Sequence, residues 1–229
     1  MEMKKSRNNG HNTDPASPPA SRMMYIPLTD PDVGDAAKLY TEVFVADEPT
    51  TCRSGVDPAT FLPYARSYVG ILVRKDLSFV VRDPVTGKLG GFIFCFDLTD
   101  NLVNEGAMMI EFLAHFPATV ALIDELEDRF LDREGIKPGS VLHIFQIGVS
   151  RDFRCQGIAQ EMICRVTEHA RRRGFRQLVA DCTSPASSRT FARCGFREAG
   201  SISYSAFSVN GDRFFAGLDE GISLMVRDI

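Results

Sequence analysis

Val149-Ser150-Arg151-Asp152-Phe153-Arg154-Cys155-Gln156-Gly157-Ile158-Ala159 is the stretch on which the reading of this chain turns. The residues before it, Val141 to Gly148, form an almost unbroken apolar run, as expected of a central strand covered on both faces. After it, Ile158, Met162, Ile163, Val166 and Ala170 recur at helical spacing up to Arg173, and Gly174 supplies a C-terminal stop. A buried strand therefore enters a glycine-containing loop that becomes a helix N-terminus. The first N–H groups of a helix lack intrahelical acceptors and carry partial positive charge, so such a junction is an anion cradle. Gly157 lets a phosphate approach the backbone, Ala159 keeps the next turn narrow, and Arg154 can add a charge-assisted contact. Neither the three-glycine dinucleotide fingerprint nor the Gly-Lys-Ser/Thr of a P-loop is present. The plainer alternative is a strand-to-helix loop with an incidental glycine.

Upstream, Met24 to Leu28 reads as a strand, and Val33 to Phe44 as a helix that Pro49 closes. Asp57-Pro58 opens a second helix through Tyr68, with Asp at the cap and Pro at the first position. Leu77 to Arg82 and Leu89 to Leu98 read as a strand pair across a turn containing Pro84 and Gly87. A further helix is expected from Pro117 to Glu134. Downstream come a strand (Gln177 to Cys182), a short helix (Ser187 to Arg193) and two closing strands near Arg197 to Phe207 and Ser223 to Arg227.

With 44% apolar and 24% charged residues over 229 positions, the composition is that of a globular protein. The net charge of −4 argues against nucleic-acid binding through bulk basic charge, so no nucleic-acid partner is expected. No apolar run is long enough for a membrane-spanning helix, so no membrane partner is expected either. Residues 1–22 hold only Met1, Met3, Ala16 and Ala20 as clearly apolar side chains; they read as a disordered tail ahead of one domain, 23–229. That tail lacks the apolar core of a secretory signal, and the expected location is cytoplasmic. The six cysteines are scattered singly without a C-x-x-C pair, so free thiols and no metal are expected.

Arg154-Cys155-Gln156-Gly157-Ile158-Ala159 resembles the coenzyme A pyrophosphate loop, Gln/Arg-x-x-Gly-x-Gly/Ala, of the GCN5-related N-acetyltransferase (GNAT) superfamily. Cys194-Gly195-Phe196 is similar to the ending of that family's next helix, and the resemblance covers roughly Tyr25 to Asp228. It implies an α/β (α+β) fold: a central mixed, mostly antiparallel sheet, splayed at the fourth and fifth strands, with helices on both faces. A closer likeness is to the arylalkylamine (dopamine-type) N-acetyltransferases of invertebrates. They carry Asp-Glu-Pro after the first helix, here Asp47-Glu48-Pro49, and small hydroxyl residues after the fifth strand, here Thr183 and Ser187.

The resemblance implies that acetyl-CoA is co-substrate and a small-molecule amine the acceptor. Ile147, Gly148 and Val149 would hold the pantetheine like an added strand, and Arg154, Cys155, Gln156, Gly157, Ile158 and Ala159 the pyrophosphate. An alkylamine has a pKa of about 10 and arrives protonated, and Glu48 is the expected general base, with Asp47 second. Where many members carry a tyrosine as general acid, this chain has Phe191, which cannot donate a proton. A hydroxyl such as Ser187 substitutes, or the thiolate leaves unassisted. Alternatives are a protein or peptide N-acetyltransferase and a catalytically degenerate acyl-CoA-binding regulatory module. The identity of the amine, acetyl versus longer acyl donors, and monomer versus homodimer remain open at this level.

Overall fold

The computed structural model describes residues 23–229; the expected tail lies outside the described residues. In chain order the elements are β1 (Met24–Pro27), α1 (Val33–Asp47), α2 (Pro49–Ser54), α3 (Pro58–Lys75), β2 (Phe79–Arg82), β3 (Leu89–Asp97), α4 (Ala107–Ala114) and α5 (Pro117–Phe130). They continue with β4 (Val141–Val149), α6 (Ile158–Arg173), β5 (Gln177–Cys182), α7 (Pro185–Arg193), β6 (Arg197–Ser203) and β7 (Gly221–Asp228). The seven strands form one sheet in the order β1-β2-β3-β4-β5-β7-β6. Every neighbouring pair is antiparallel except β4–β5, which is parallel. This is the expected mixed, mostly antiparallel arrangement.

Alternating side chains divide the core. Phe92, Phe94 and Phe96 of β3 point to a layer formed by Tyr40 of α1, Phe61, Tyr68 and Leu72 of α3, and Phe112 of α4. Ile93 and Cys95 point to the other face, under Met162, Ile163 and Val166 of α6 and Phe191 of α7. Leu122 and Leu126 of α5 cover the β5–β7–β6 end together with Tyr204, Phe207 and Phe215. Helices thus lie on both faces.

Two features of β4 set up everything that follows. The register with β3 runs Phe94 opposite Gln146 and then Cys95 opposite Ile144, so Phe145 is an extra residue, a β-bulge. The alternation changes phase there: Leu142 and Ile144 face α6, and so do Ile147 and Val149 three residues on. The second feature is that β4 and β5 pair only over Val141–His143 and Gln177–Val179. From Ile144 onward their facing edges part, which is the expected splay.

Several expected boundaries move. Pro49 does not close α1; α1 runs on to Asp47, and Pro49 starts the short α2, because a proline at the first helical position loses no hydrogen bond. Helix α4 was not expected: Ala107-Met-Met-Ile-Glu-Phe-Leu-Ala114 is apolar nearly all round and shows no helical period. Helix α5 stops at Phe130 rather than Glu134, since Leu131 is extended and a 3-10 turn takes Arg133–Gly135. The strand expected to reach Phe207 ends at Ser203, and β2 begins at Phe79 rather than Leu77. Among the described residues no single helix is long and apolar enough to cross a membrane.

Gly148 on β4 sits where a Cβ would lie 2.4 Å from Phe92 Cζ and 3.2 Å from Val43 Cγ1. Phe92 is fully buried and cannot swing away. A Gly148→Ala protein is expected to lose about 1–3 kcal/mol from overpacking. Thermal unfolding should show this as a drop of about 2–10 °C at this chain length.

Candidate active site

The parted edges of β4 and β5 open into a cleft of about 220 Å³. Its walls bring together Glu48, Ile147, Thr183, Ser187 and Phe191. Phe61, Phe112, Phe116 and Phe145 give it an aromatic lining, and Thr119, Val120 and Ile123 of α5 also line it. Gln146, which also lines the cleft, is fixed by the buried Tyr68 hydroxyl, which donates to its Oε1 at 2.5 Å. Of the early-helix aromatics, Tyr40, Phe44 and Phe61 reach the cleft, whereas Tyr64 and Tyr68 are not among its lining residues.

Glu48 occupies the joint between two helices. Its N–H closes α1 onto the Phe44 carbonyl (3.2 Å), and its own extended backbone starts α2. The carboxylate caps α2: Oε1 accepts from the Thr50 N–H (3.0 Å), and Oε2 from the Thr51 N–H (2.6 Å) and the Thr50 hydroxyl (2.9 Å). Three of its about four acceptor positions are thereby used, leaving one for a water or a substrate proton. Its charge is felt nearby: burial, and then the negative charge of Glu48, push the Tyr40 and Tyr204 phenols up.

Asp47 turns away to a different task. It accepts from Arg151 at 2.7 Å and also from Arg154, whose Nε donates to the Val149 carbonyl (3.1 Å). Hydrogen bonds from Arg151, then Arg154, hold the Asp47 carboxyl below the usual range. An acid stabilised in its ionised form by two guanidiniums is a poor proton acceptor, so Asp47 is a tether rather than a second base. It binds the end of α1 to the loop after β4.

That loop turns sharply into helix α6. Cys155 (φ 61°) and Gly157 (φ 76°) both adopt left-handed backbone, and no side chain caps the N-terminus of α6. A left-handed cysteine is strained where the glycine two residues on is not. Arg154, Cys155, Gln156, Gly157, Ile158 and Ala159 are not cleft-lining residues; they form the adjoining loop, joined to the cleft through Asp47. Gly148 and Val149 continue β4 from Ile147 toward it.

At the other wall, Ser184 and Ser187 make a capping box for α7: the Ser184 hydroxyl oxygen accepts from Ser187 N–H, and the Ser187 hydroxyl donates to the Ser184 carbonyl at 2.7 Å. The Ser187 hydroxyl thus also shapes the helix start. Phe191 is buried edge-to-face against Phe196, with centroids 5.0 Å apart. Burial pushes the neighbouring Cys182 thiol up to about 12, so it is no nucleophile at neutral pH.

The basic run near the end of α6 is mostly absorbed by local partners. Arg165 pairs with Glu161 (2.8 Å), Arg171 with Glu168 (3.2 Å) and Arg173 with Asp76 (2.7 Å), while His169 meets the Asp76 carbonyl (2.9 Å). Sequence reasoning missed Phe112, Phe116, Phe145 and Asp181, which reach the cleft from α4, the α4–α5 joint, β4 and β5. Only the aromatic content of 107–116 carried a signal.

The sequence profile of the acetyltransferase (GNAT) family matches residues 44–196, from the end of α1 to the start of β6. The chain belongs to that family. It is an acyltransferase of the N-acetyltransferase class. Among curated proteins no sequence matches it. Its fold is shared by the C-terminal condensation domain of Ebony in complex with beta-alanyl-dopamine (TM-score 0.77, 18% identity, covering 91% of this chain and 99% of that one). Another relative is an arylalkylamine N-acetyltransferase 7, described as putative, from the yellow fever mosquito Aedes aegypti (TM-score 0.74, 19% identity, 90% and 87% covered). A third is the Drosophila melanogaster polyamine N-acetyltransferase (TM-score 0.71, 16% identity, 91% and 100% covered).

Removing the N-cap of α7 with Ser184→Ala is expected to cost about 1 kcal/mol. Differential scanning calorimetry should register it as a fall of about 2–4 °C.

Proposed function

We propose that the protein transfers an acetyl group from acetyl-CoA to the primary amine of a small arylalkylamine, by direct attack in a ternary complex. The observation that carries this is one cleft in which Glu48 faces the separated edge of β4, next to an uncapped helix N-terminus. The free N–H and C=O groups of a parted strand are what an extended amide-bearing chain such as pantetheine completes. The α6 N–H groups with Arg154 would meet the diphosphate, and the aromatic wall of Phe61, Phe112, Phe116 and Phe145 suits an aryl side chain on the acceptor. No residue set for a resident metal is needed by this chemistry.

In this reading Glu48 takes the ammonium proton through its remaining acceptor position, and the neutral amine attacks the thioester carbonyl. Backbone groups of Ile147 to Val149 stabilise the oxyanion. The tetrahedral intermediate collapses by breaking the C–S bond, and Thr183, Ser187 or water protonates the thiolate, because Phe191 has no proton to give. Cytoplasmic location is part of the same proposal, and the free thiols support it.

Two measurements test it. Acetyl-CoA at 100 times its dissociation constant should add about 2.7 kcal/mol, a rise of about 5–10 °C in Tm, and should shield the exposed Cys155 from alkylation. An unchanged Tm with unprotected Cys155 would remove the cradle. Glu48→Gln should lower turnover with arylalkylamines by about 10²–10⁴-fold at neutral pH; full activity would overturn the assigned base.

A further inference from the structure

Below the fork, three ionisable side chains meet in the interior. His143 of β4 is 2% exposed and sits in the last residue pair before β4 and β5 separate. Its Nε2 lies 2.8 Å from Asp181 Oδ2 of β5, and its Nδ1 lies 3.8 Å from Glu127 Oε1 of α5. Arg133 stands 3.4 Å from Glu127 Oε2, with Asp124 and Asp128 also around it. The rings of Phe96 and Phe145 enclose the imidazole, with centroids 5.2 and 5.1 Å away. Asp181 Oδ1 is buried without a hydrogen-bond partner among the described residues, so the imidazole is what compensates that carboxylate.

We propose that His143, gripped between Asp181 and Glu127, is a positioning residue that clamps helix α5 to the fork and so fixes the acceptor side of the cleft. The argument is one of connectivity. Glu127 lies on the same helix as Thr119, Val120 and Ile123, which line the cleft, and Asp181 lines it from β5. Helix α5 meets α4 at a bend of 93°, so its position is not inherited from a continuous helix. Among the described residues, its attachment to the middle of the sheet by a polar contact is the His143–Glu127 pair.

Geometry decides between a clamp and a metal centre. The two carboxylates address different imidazole nitrogens, whereas a single ion bonds to one of them. Asp181 and Glu127 face the imidazole from β5 and α5, and Arg133, itself beside Asp124 and Asp128, faces Glu127 from its other side. Burial opposes the charge on His143, but the negative charge and hydrogen bond of Asp181, and then Glu127, hold its pKa above the usual value. Burial pushes Glu127 up to about 7. Both groups keep a proton more tightly in the folded protein than in the unfolded chain. The clamp's contribution is therefore complete below the unfolded values and declines as pH rises through the folded ones, from about pH 4.5 upward.

Hydrogen-exchange mass spectrometry of the 117–130 segment, corrected for intrinsic exchange, tests the clamp without requiring turnover. Between about pH 5.5 and about pH 9 the wild type should lose about tenfold or more of its α5 protection. Glu127→Ala, which spares the His143–Asp181 pair, should give low protection with little pH dependence, whereas Glu127→Gln, a neutral copy of the protonated acid, should keep the wild-type protection at about pH 5.5 and lose less of it by about pH 9; Asp181→Asn should flatten the profile too. A wild-type profile independent of pH, or an unaltered slope in Glu127→Gln, overturns the clamp. So does stoichiometric retention of zinc, added as its chloride, that His143→Gln abolishes.

The catalytic consequence rests on the proposed amine acetylation: Glu127→Ala should raise the amine KM about fivefold and leave the acetyl-CoA KM unchanged. Equal rises in both would overturn an acceptor-side role. If the wild type acetylates no amine, the proposed function fails, while the exchange profiles still judge the clamp.

Discussion

The structure depends on a broken ladder. A central strand normally satisfies its backbone on both sides, and an unpaired buried N–H or C=O costs as much as a lost hydrogen bond. Strand β4 pairs with β3 along its length but leaves β5 after His143. Such a sheet is stable only if the gap is braced on either side and wet or occupied within. The bulge at Phe145 turns the local side-chain phase, Tyr68 holds Gln146, and β7 pairs with β5 from Gln177 to Cys182. The layered core then holds the gap open: Phe92 and Phe94 back one face of the sheet, Met162 and Val166 the other.

The site is assembled from chain ends of elements rather than from their middles. Glu48 lies between two helices, Asp47 at the end of one, Gly157 at the start of another, and Ser184 at the start of a third. Ends carry unsatisfied backbone groups, and those groups are the material of recognition. The same property explains the dual character of several side chains. Glu48 caps α2 while facing the cleft, and Ser187 completes a capping box while lining it. Asp47 illustrates the reverse: a residue that sequence alone ranks next to Glu48 as a base proves to be bound by two arginines.

Legibility followed periodicity and local chemistry. Strand β4, helix α6 and strand β5 were readable to the residue because an apolar run, a 3.6-residue stripe and a glycine stop each have one interpretation. The loop before α6 was readable because its glycine and the helix start lie within six consecutive positions. Helix α2 was hidden because Pro49 punctuates as a stop and as a first residue alike. Helix α4 was hidden because Met108 and Ile110, on its outer face, are as apolar as Met109 and Phe112 within. The Glu127–His143–Asp181 group joins positions 16 and 38 residues apart, and nothing short of the strand pairing brings them together.

The place of β7 has a consequence for how the chain acquires its shape during synthesis. β7 is the last of the described strands to be made, yet it inserts between β5 and β6, and on its account β5 has a partner along its whole length. While residues 221–228 remain inside the ribosome, β5 is held to the rest of the sheet only by the three residue pairs it shares with β4. The half comprising β1 to β3 and helices α1 and α3 can settle early from contacts close in sequence, whereas the fork waits for a long-range closure. A nascent chain of this protein therefore exposes an incomplete sheet edge until residues 221–228 emerge, and the cleft is among the last of the described parts to take shape.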